Sequence, residues 1–249
     1  FGADDHGHGD VIGSDAFFDI QGANVSRTGN ILTIDIFTSF FTDMGSGQTG
    51  LGSYPGATFS GNGIGAGDLF LADGWDPHGT GPEYLADNSA NGTEWDYGFS
   101  LDNRWSTGGT GAWYSLGGAA NSDIILSDAF INCCTYRNGQ EIAVDTGHAG
   151  VSELIGAGNT WTVDTVAQMV TFQFDVTGTS PATSESVALH WAMTCGNDTI
   201  EGEVTGLVTT SVPEPTSLLF ASLGLLLLAG SRRQNVRRIV AGIPVRVAS

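Results

Sequence analysis

Apolar and polar residues alternate along much of this chain with a period of two. In Ile31–Phe37, Leu32, Ile34 and Ile36 fall on one face and Thr33, Asp35 and Phe37 on the other. In Thr171–Val176, Phe172, Phe174 and Val176 point one way and Thr171, Gln173 and Asp175 the other. Strict alternation of this kind predicts strands with one buried face. Ala16–Ile20 also carries strand character. A polar stretch follows it, and Gly29-Asn30 before the next run is a hairpin signal. Asp68–Leu71 is a short continuous apolar run, as expected of a strand buried on both faces. Further candidates are Trp95–Leu101, Ala112–Leu116, Asp123–Leu126, Glu141–Val144, Thr160–Val163, Gln168–Val176 and Ser186–Met193.

No convincing three-four periodicity precedes residue 216. Glycine occurs 37 times without a three-residue period, which excludes collagen and fits turns between short strands. The expectation is an all-β chain with a single β-sandwich of jelly-roll type. The domain plan is a polar lead over 1–10, the sandwich over 11–205, and a linker over 206–215. A separate apolar helix over 216–231 and a basic tail over 232–249 complete it.

Charge divides the chain in the same way. All eight basic residues are arginines, and five of them (Arg232, Arg233, Arg237, Arg238 and Arg246) lie after residue 230. Residues 1–211 hold 26 acids against 3 arginines, a formal −23. Such a surface repels nucleic-acid backbones and anionic headgroups, so nucleic acid is excluded as a partner. It suits solvent, cations or neutral glycans. Without lysine, a phosphate-cradling loop of the lysine type is excluded as well.

The chain begins at Phe1 without an apolar leader. A leader has been removed or the sequence is a fragment, so export has to be argued from the other end. There, Val212-Pro213-Glu214-Pro215 breaks regular structure. Thr216–Gly230 follows, fifteen residues without a charge. As a helix it would be roughly 22 Å long, short of a hydrocarbon core of about 30 Å unless flanking arginines snorkel. Arg232, Arg233, Arg237 and Arg238 then predict a cytoplasmic end by the positive-inside rule.

This order of Pro-Glu-Pro, short apolar helix and arginine cluster resembles the PEP-CTERM sorting signal of exported bacterial proteins. The resemblance implies recognition and processing by an exosortase, an integral-membrane cysteine protease. It also implies a membrane-held precursor and a cell-envelope or extracellular destination, in bacteria that make exopolysaccharide and biofilm. Ile239–Ser249 departs from the pattern, because the family usually stops at the basic cluster. Gly67–Leu71, Tyr97–Asp102, Tyr136–Glu141 and Leu189–Asp198 also look like segments of exported domains joined to such tails, with no activity attached.

Within the folded part, the acidic stretch from Asp73 to Asp102 is the candidate site. Asp73, Asp76, Asp87, Asn88, Asp96 and Asp102 are candidate calcium ligands, since calcium takes six to eight oxygens. The EF-hand spacing does not occur, and solvated acidic loops are the competing expectation. Trp75, Trp95 and Trp105 in the same stretch are candidate sugar-stacking rings, against the alternative that they belong to the core. Cys195 is expected to bond Cys133 or Cys134 in an oxidising compartment, because adjacent cysteines rarely bond each other.

No catalytic motif is present. G-x-S-x-G is absent, and His190, beside Trp191 in an apolar run, is expected to be a core histidine. The function expected is therefore a non-enzymatic exported surface or matrix protein, a possible partner being extracellular polysaccharide. The alternative is a carbohydrate-binding or glycoside hydrolase-like secreted protein, for which two carboxylates beside an aromatic floor would be required.

Overall fold

The computed structural model describes residues 11–12, 15–42, 64–79, 87–130 and 139–207, without the side chains of 41–42 and 155–158. The chain divides into two units, 1–210 and 211–249. Every described residue belongs to the first.

Eleven strands dominate the described residues: β1 (Ile20–Thr28), β2 (Ile31–Thr38), β3 (Leu69–Ala72), β4 (Tyr97–Leu101), β5 (Gly108–Ser115), β6 (Ile124–Leu126), β7 (Glu141–Val144), β8 (Ser152–Asp164), β9 (Met169–Asp175), β10 (Ser186–Ala192) and β11 (Thr199–Thr205). Two one-turn helices, α1 (Asp15–Phe18) and α2 (Ser127–Phe130), join them. Nine strands form one antiparallel sheet in the order β1-β2-β9-β8-β5-β4-β3-β10-β11, and β6 and β7 form a separate pair.

The chain is all-β, as the alternation predicts. In place of two facing sheets, however, hydrogen bonding runs unbroken through nine strands, and the sheet curls into a nearly closed barrel. Side chains tie its two edges together. The Ile20 amide at the start of β1 donates to Asp198 Oδ2, just before β11, at 2.6 Å. Arg27 of β1 donates to the carbonyls of Pro181, Ser184 and Leu207 at 2.6, 2.7 and 2.9 Å. Sheet edges left unpaired attract other chains, and these contacts cover both edges at once.

The main core fills the inside of the curl. Leu32, Ile34 and Ile36 of β2 meet Phe172 and Phe174 of β9, Trp161 of β8, Trp113 of β5 and Phe99 of β4. Leu71, Leu189, Trp191 and Ile200 close the other wall. Phe174 sits 4.7 Å from Trp113 and 5.0 Å from Phe99, ring centre to ring centre. The faces expected for β2 and β9 are therefore the buried ones.

A second layer lies outside the barrel. Ile124, Val144, Ile142 and Ala143 of the β6–β7 pair cover Phe70, Ala72, Ala188 and Ala192 on the outer face of β3 and β10. This explains why β3 and most of β10 are buried on both faces. Close approach depends on glycine. A Cβ on Gly98 would stand 2.4 Å from Val144 Cγ2, and one on Gly67 would stand 2.2 Å from the Ala192 carbonyl oxygen.

Four local expectations change. Ala16–Phe18 belongs to helix α1, because Phe18 turns into the core before the strand starts at Ile20. The polar stretch after it is β1 itself, held by its ladder to β2. Strand β8 runs from Ser152, well before Thr160, since it pairs with both β5 and β9. Strand β11 was not expected at all. Its glutamates break the apolar pattern, and the reason for the buried one, Glu201, is tertiary.

Candidate functional site

Strand β10 sends Val187, Leu189 and Trp191 into the barrel and Ala188, His190 and Ala192 outward under β7. His190 is thus sealed between two layers, with 0% exposure. Its direct cross-strand partner on β11 is Glu201, and its Nδ1 lies 3.3 Å from Glu201 Oε2. Its Nε2 lies 2.8 Å from the Glu141 backbone carbonyl on β7 and 4.0 Å from Glu141 Oε2. Phe70 and Trp95 flank the ring at centroid distances of 5.8 and 5.5 Å, within range of a cation–π contact.

The segment 87–95 closes the site. Glu201 Oε1 accepts from Trp75 Nε1 at 3.0 Å and from Thr93 Oγ1 at 3.3 Å. Asn121 accepts from the Trp95 amide at 3.0 Å, which orients its side chain to donate to the Thr93 carbonyl and to Glu141 Oε1 at 3.0 and 3.3 Å. Asp87 accepts from the His78 amide at 2.9 Å. Gly92, at φ +102°, lies so close to Asp87 that a Cβ would stand 2.0 Å from its Oδ1. Only glycine fits there.

The electrostatics follow from burial. Loss of solvent pushes Glu141 up to about 7 despite the histidine beside it, and the charge of Glu201 adds to the rise. Asp87 rises to about 6, through burial first and Glu201 second. For His190 burial opposes the charge, but the Glu201 hydrogen bond and the Glu141 and Glu201 charges outweigh it and raise its pKa. The cluster therefore retains protons that water-exposed groups would lose near neutrality.

A second buried node ties the far end of β7. Asp68 accepts from the Leu101 and Val144 amides at 3.0 and 2.9 Å and pairs with Arg104 at 3.1 Å. Arg104 also donates to the Ala66 carbonyl and lies 5.3 Å over the Phe130 ring.

The residues singled out from sequence are distributed over several places. Asp87, Trp75 and Trp95 join the His190 cluster, where Trp95 is buried and Trp75 half-buried. Asp73 and Asp96 are exposed neighbours, with the Asp73 amide donating to Asp96 Oδ2 at 2.9 Å and Asp73 accepting from Ser180. Burial nonetheless raises the Asp96 pKa, and the charges of Asp73 and Glu94 add to it. Asp76 hangs on Thr93, Asn88 caps its own turn through Ala90, and Asp102 accepts from Thr110 on the β4–β5 hairpin. Trp105 packs near Gly65. Among the described residues, no three His, Cys, Asp or Glu side chains are grouped to hold a metal ion. Cys195 is buried in the core, while Cys133 and Cys134 lie outside the described residues.

Glu141, Glu201, Asn121 and Thr93 were not read from the sequence. One signal was available: His190 and Glu201 are equally far from the centre of the Cys195-Gly196 turn, so a hairpin there must pair them.

The sorting residues Val212–Pro215, the apolar segment 216–230 and Arg232, Arg233, Arg237 and Arg238 also lie outside the described residues. Residues 211–233 match the family model for the PEP-CTERM protein-sorting motif. The chain carries a PEP-CTERM sorting motif. It is accordingly a sorted, exported, envelope-associated protein with an exosortase-type tail. The PEP-CTERM match covers the tail, and the β domain is left to its own geometry. Neither the curated proteins nor the solved structures yielded a match to the chain. Among the described residues, no helix is long and apolar enough to cross a membrane.

Proposed function

We propose that the chain is a non-enzymatic surface or extracellular-matrix protein whose acidic β domain is delivered and released through its PEP-CTERM tail. In this reading, Thr216–Gly230 enters the membrane as a short helix. Arg232, Arg233, Arg237 and Arg238 stay on the cytoplasmic side, and an exosortase-type protease cuts near Pro213-Glu214-Pro215. The observation that carries the reading is the match at 211–233, directly after a region with 26 acids and 3 arginines. An acidic β domain, soluble and repelled by anionic headgroups, suits release from the membrane surface.

A non-catalytic role is supported by the way the buried polar groups are used. Glu201, Glu141, Asp87 and His190 each have internal partners and little exposure. A hydrolytic pair would instead need to face a substrate and leave room for water.

The test is pulse-chase labelling in an exosortase-bearing host. The wild type should shorten at its C-terminus and appear outside the cell. Replacing Pro213, Glu214 and Pro215 by alanine should leave the longer form associated with the membrane. Equal shortening and release of that variant would refute the reading.

A further inference from the structure

Every hydrogen-bond partner that surrounds the His190 ring is an acceptor. Nδ1 faces a carboxylate oxygen of Glu201, and Nε2 faces the carbonyl of Glu141, with its carboxylate close behind. A neutral imidazole has one N–H and one lone pair. Either neutral tautomer would aim its lone pair at an oxygen, inside a site closed to water. Only the imidazolium donates in both directions, and the flanking Phe70 and Trp95 rings also favour a cation.

The location gives this chemistry a mechanical consequence. The β6–β7 pair shares no ladder with the barrel sheet, although the Asp68 amide just before β3 donates to the Ile142 carbonyl at 2.7 Å. Buried polar ties hold β7 at its two ends. At the Val144 end the tie is Asp68 with Arg104, whose guanidinium is permanently charged. At the Glu141 end the tie is His190, whose charge depends on pH.

We propose that His190 is a proton-dependent clasp that fastens the β6–β7 flap to the outside of the barrel at low and neutral pH and loosens it when the imidazolium loses its proton. The titratable groups facing the ring are Glu201 from β11, Glu141 from β7 and Asp87 from the segment that closes the site. From β3 and from that segment the ring meets uncharged Phe70 and Trp95. Deprotonation leaves three carboxyls without their cation, and their mutual repulsion acts between β7, β11 and the closing segment. The Asp68–Arg104 end holds, so the flap opens from Glu141 while Val144 stays docked. A mildly acidic or neutral envelope keeps the flap shut, and an alkaline shift exposes the outer face of β3 and β10.

The experiment uses the full chain in detergent micelles with ¹⁵N-labelled histidine. Long-range proton–nitrogen spectra should show one of the five histidines with both ring nitrogens protonated at about pH 7, where exposed histidines are mostly neutral. Its loss in His190→Gln assigns it. If that variant does not fold, Glu201→Gln assigns it by lowering its titration midpoint by about one unit, a tenfold change in proton affinity. In parallel, amide exchange of 141–144, corrected for intrinsic rate, should accelerate about tenfold between about pH 6 and pH 9, more at Glu141 than at Val144. A single neutral tautomer for His190 at about pH 6 would overturn the proposal. So would unchanged protection of 141–144 across the range.

Discussion

His190 and Glu201 stand opposite each other on β10 and β11, with Nδ1 and Oε2 3.3 Å apart. Cross-strand pairs of opposite charge stabilise sheets modestly at the surface. Here the pair is buried under β7, so its two halves depend on each other. His190→Ala should leave Glu141 and Glu201 without a cation and cost about 3–5 kcal/mol. Urea unfolding followed by tryptophan fluorescence would measure this, and a loss under about 1 kcal/mol would show that the pair behaves as though exposed.

Stability should fall as pH rises through the acid range. Glu141 is raised to about 7 and Asp87 to about 6. Each binds its proton more tightly folded than unfolded, so its contribution is complete below the unfolded value and is lost as pH climbs through the folded one. The windows are 4.5 to about 7 for Glu141 and 3.8 to about 6 for Asp87. His190, raised above 6.5, extends the same trend upward. The exposed Asp164 is lowered by the Ala167 and Val166 amides and acts the opposite way below 3.8. Unfolding midpoints from pH 4.5 to 8 should therefore decline, and Glu141→Gln should flatten the decline.

Asp68 and Arg104 form the other buried tie. Arg104→Met removes the cation while Asp68 keeps the Leu101 and Val144 amides. A cost of about 3–5 kcal/mol is expected. Asp68→Asn in that background should recover part of it, because the uncompensated charge is gone. A double-mutant cycle measures the recovery.

Backbone contact makes Gly67 intolerant. A Cβ there meets the Ala192 carbonyl oxygen at 2.2 Å, and the Gly67 carbonyl also accepts from Trp191 Nε1 at 3.0 Å. Gly67→Ala should cost about 1–3 kcal/mol or more. Gly74→Ala, where nothing lies within 4 Å, is the control and should be close to neutral.

The tail should be separable from the β domain. Deleting 212–249 should leave the unfolding midpoint of the remaining chain unchanged, since β11 ends at Thr205. In cells, replacing Arg232, Arg233, Arg237 and Arg238 by glutamate should disturb membrane orientation. Protease protection of the two termini would measure this second effect.

Local pattern determined a good part of the result. The alternation in Ile31–Phe37 and Thr171–Val176 identified the faces that fill the barrel, because a strand with one buried side has no other way to order its side chains. The Gly29-Asn30 turn was legible from its turn residues, and β7 as a short strand, although all four of its residues are buried. The tail was legible as well, since Pro-Glu-Pro, apolar segment and arginines act through their order along the chain. What only the tertiary structure decided is the closure and the cluster. Nothing local says whether strands form two sheets or one curled sheet, because that depends on which distant edges meet: here Arg27 on the first strand reaches the Leu207 carbonyl just after the last. The spacing about the Cys195-Gly196 turn could pair Glu201 with His190, but nothing local says that the pair is buried. Its cost is offset only when β10, β7 and the segment at Trp95 come together, and that assembly exists only in the folded chain.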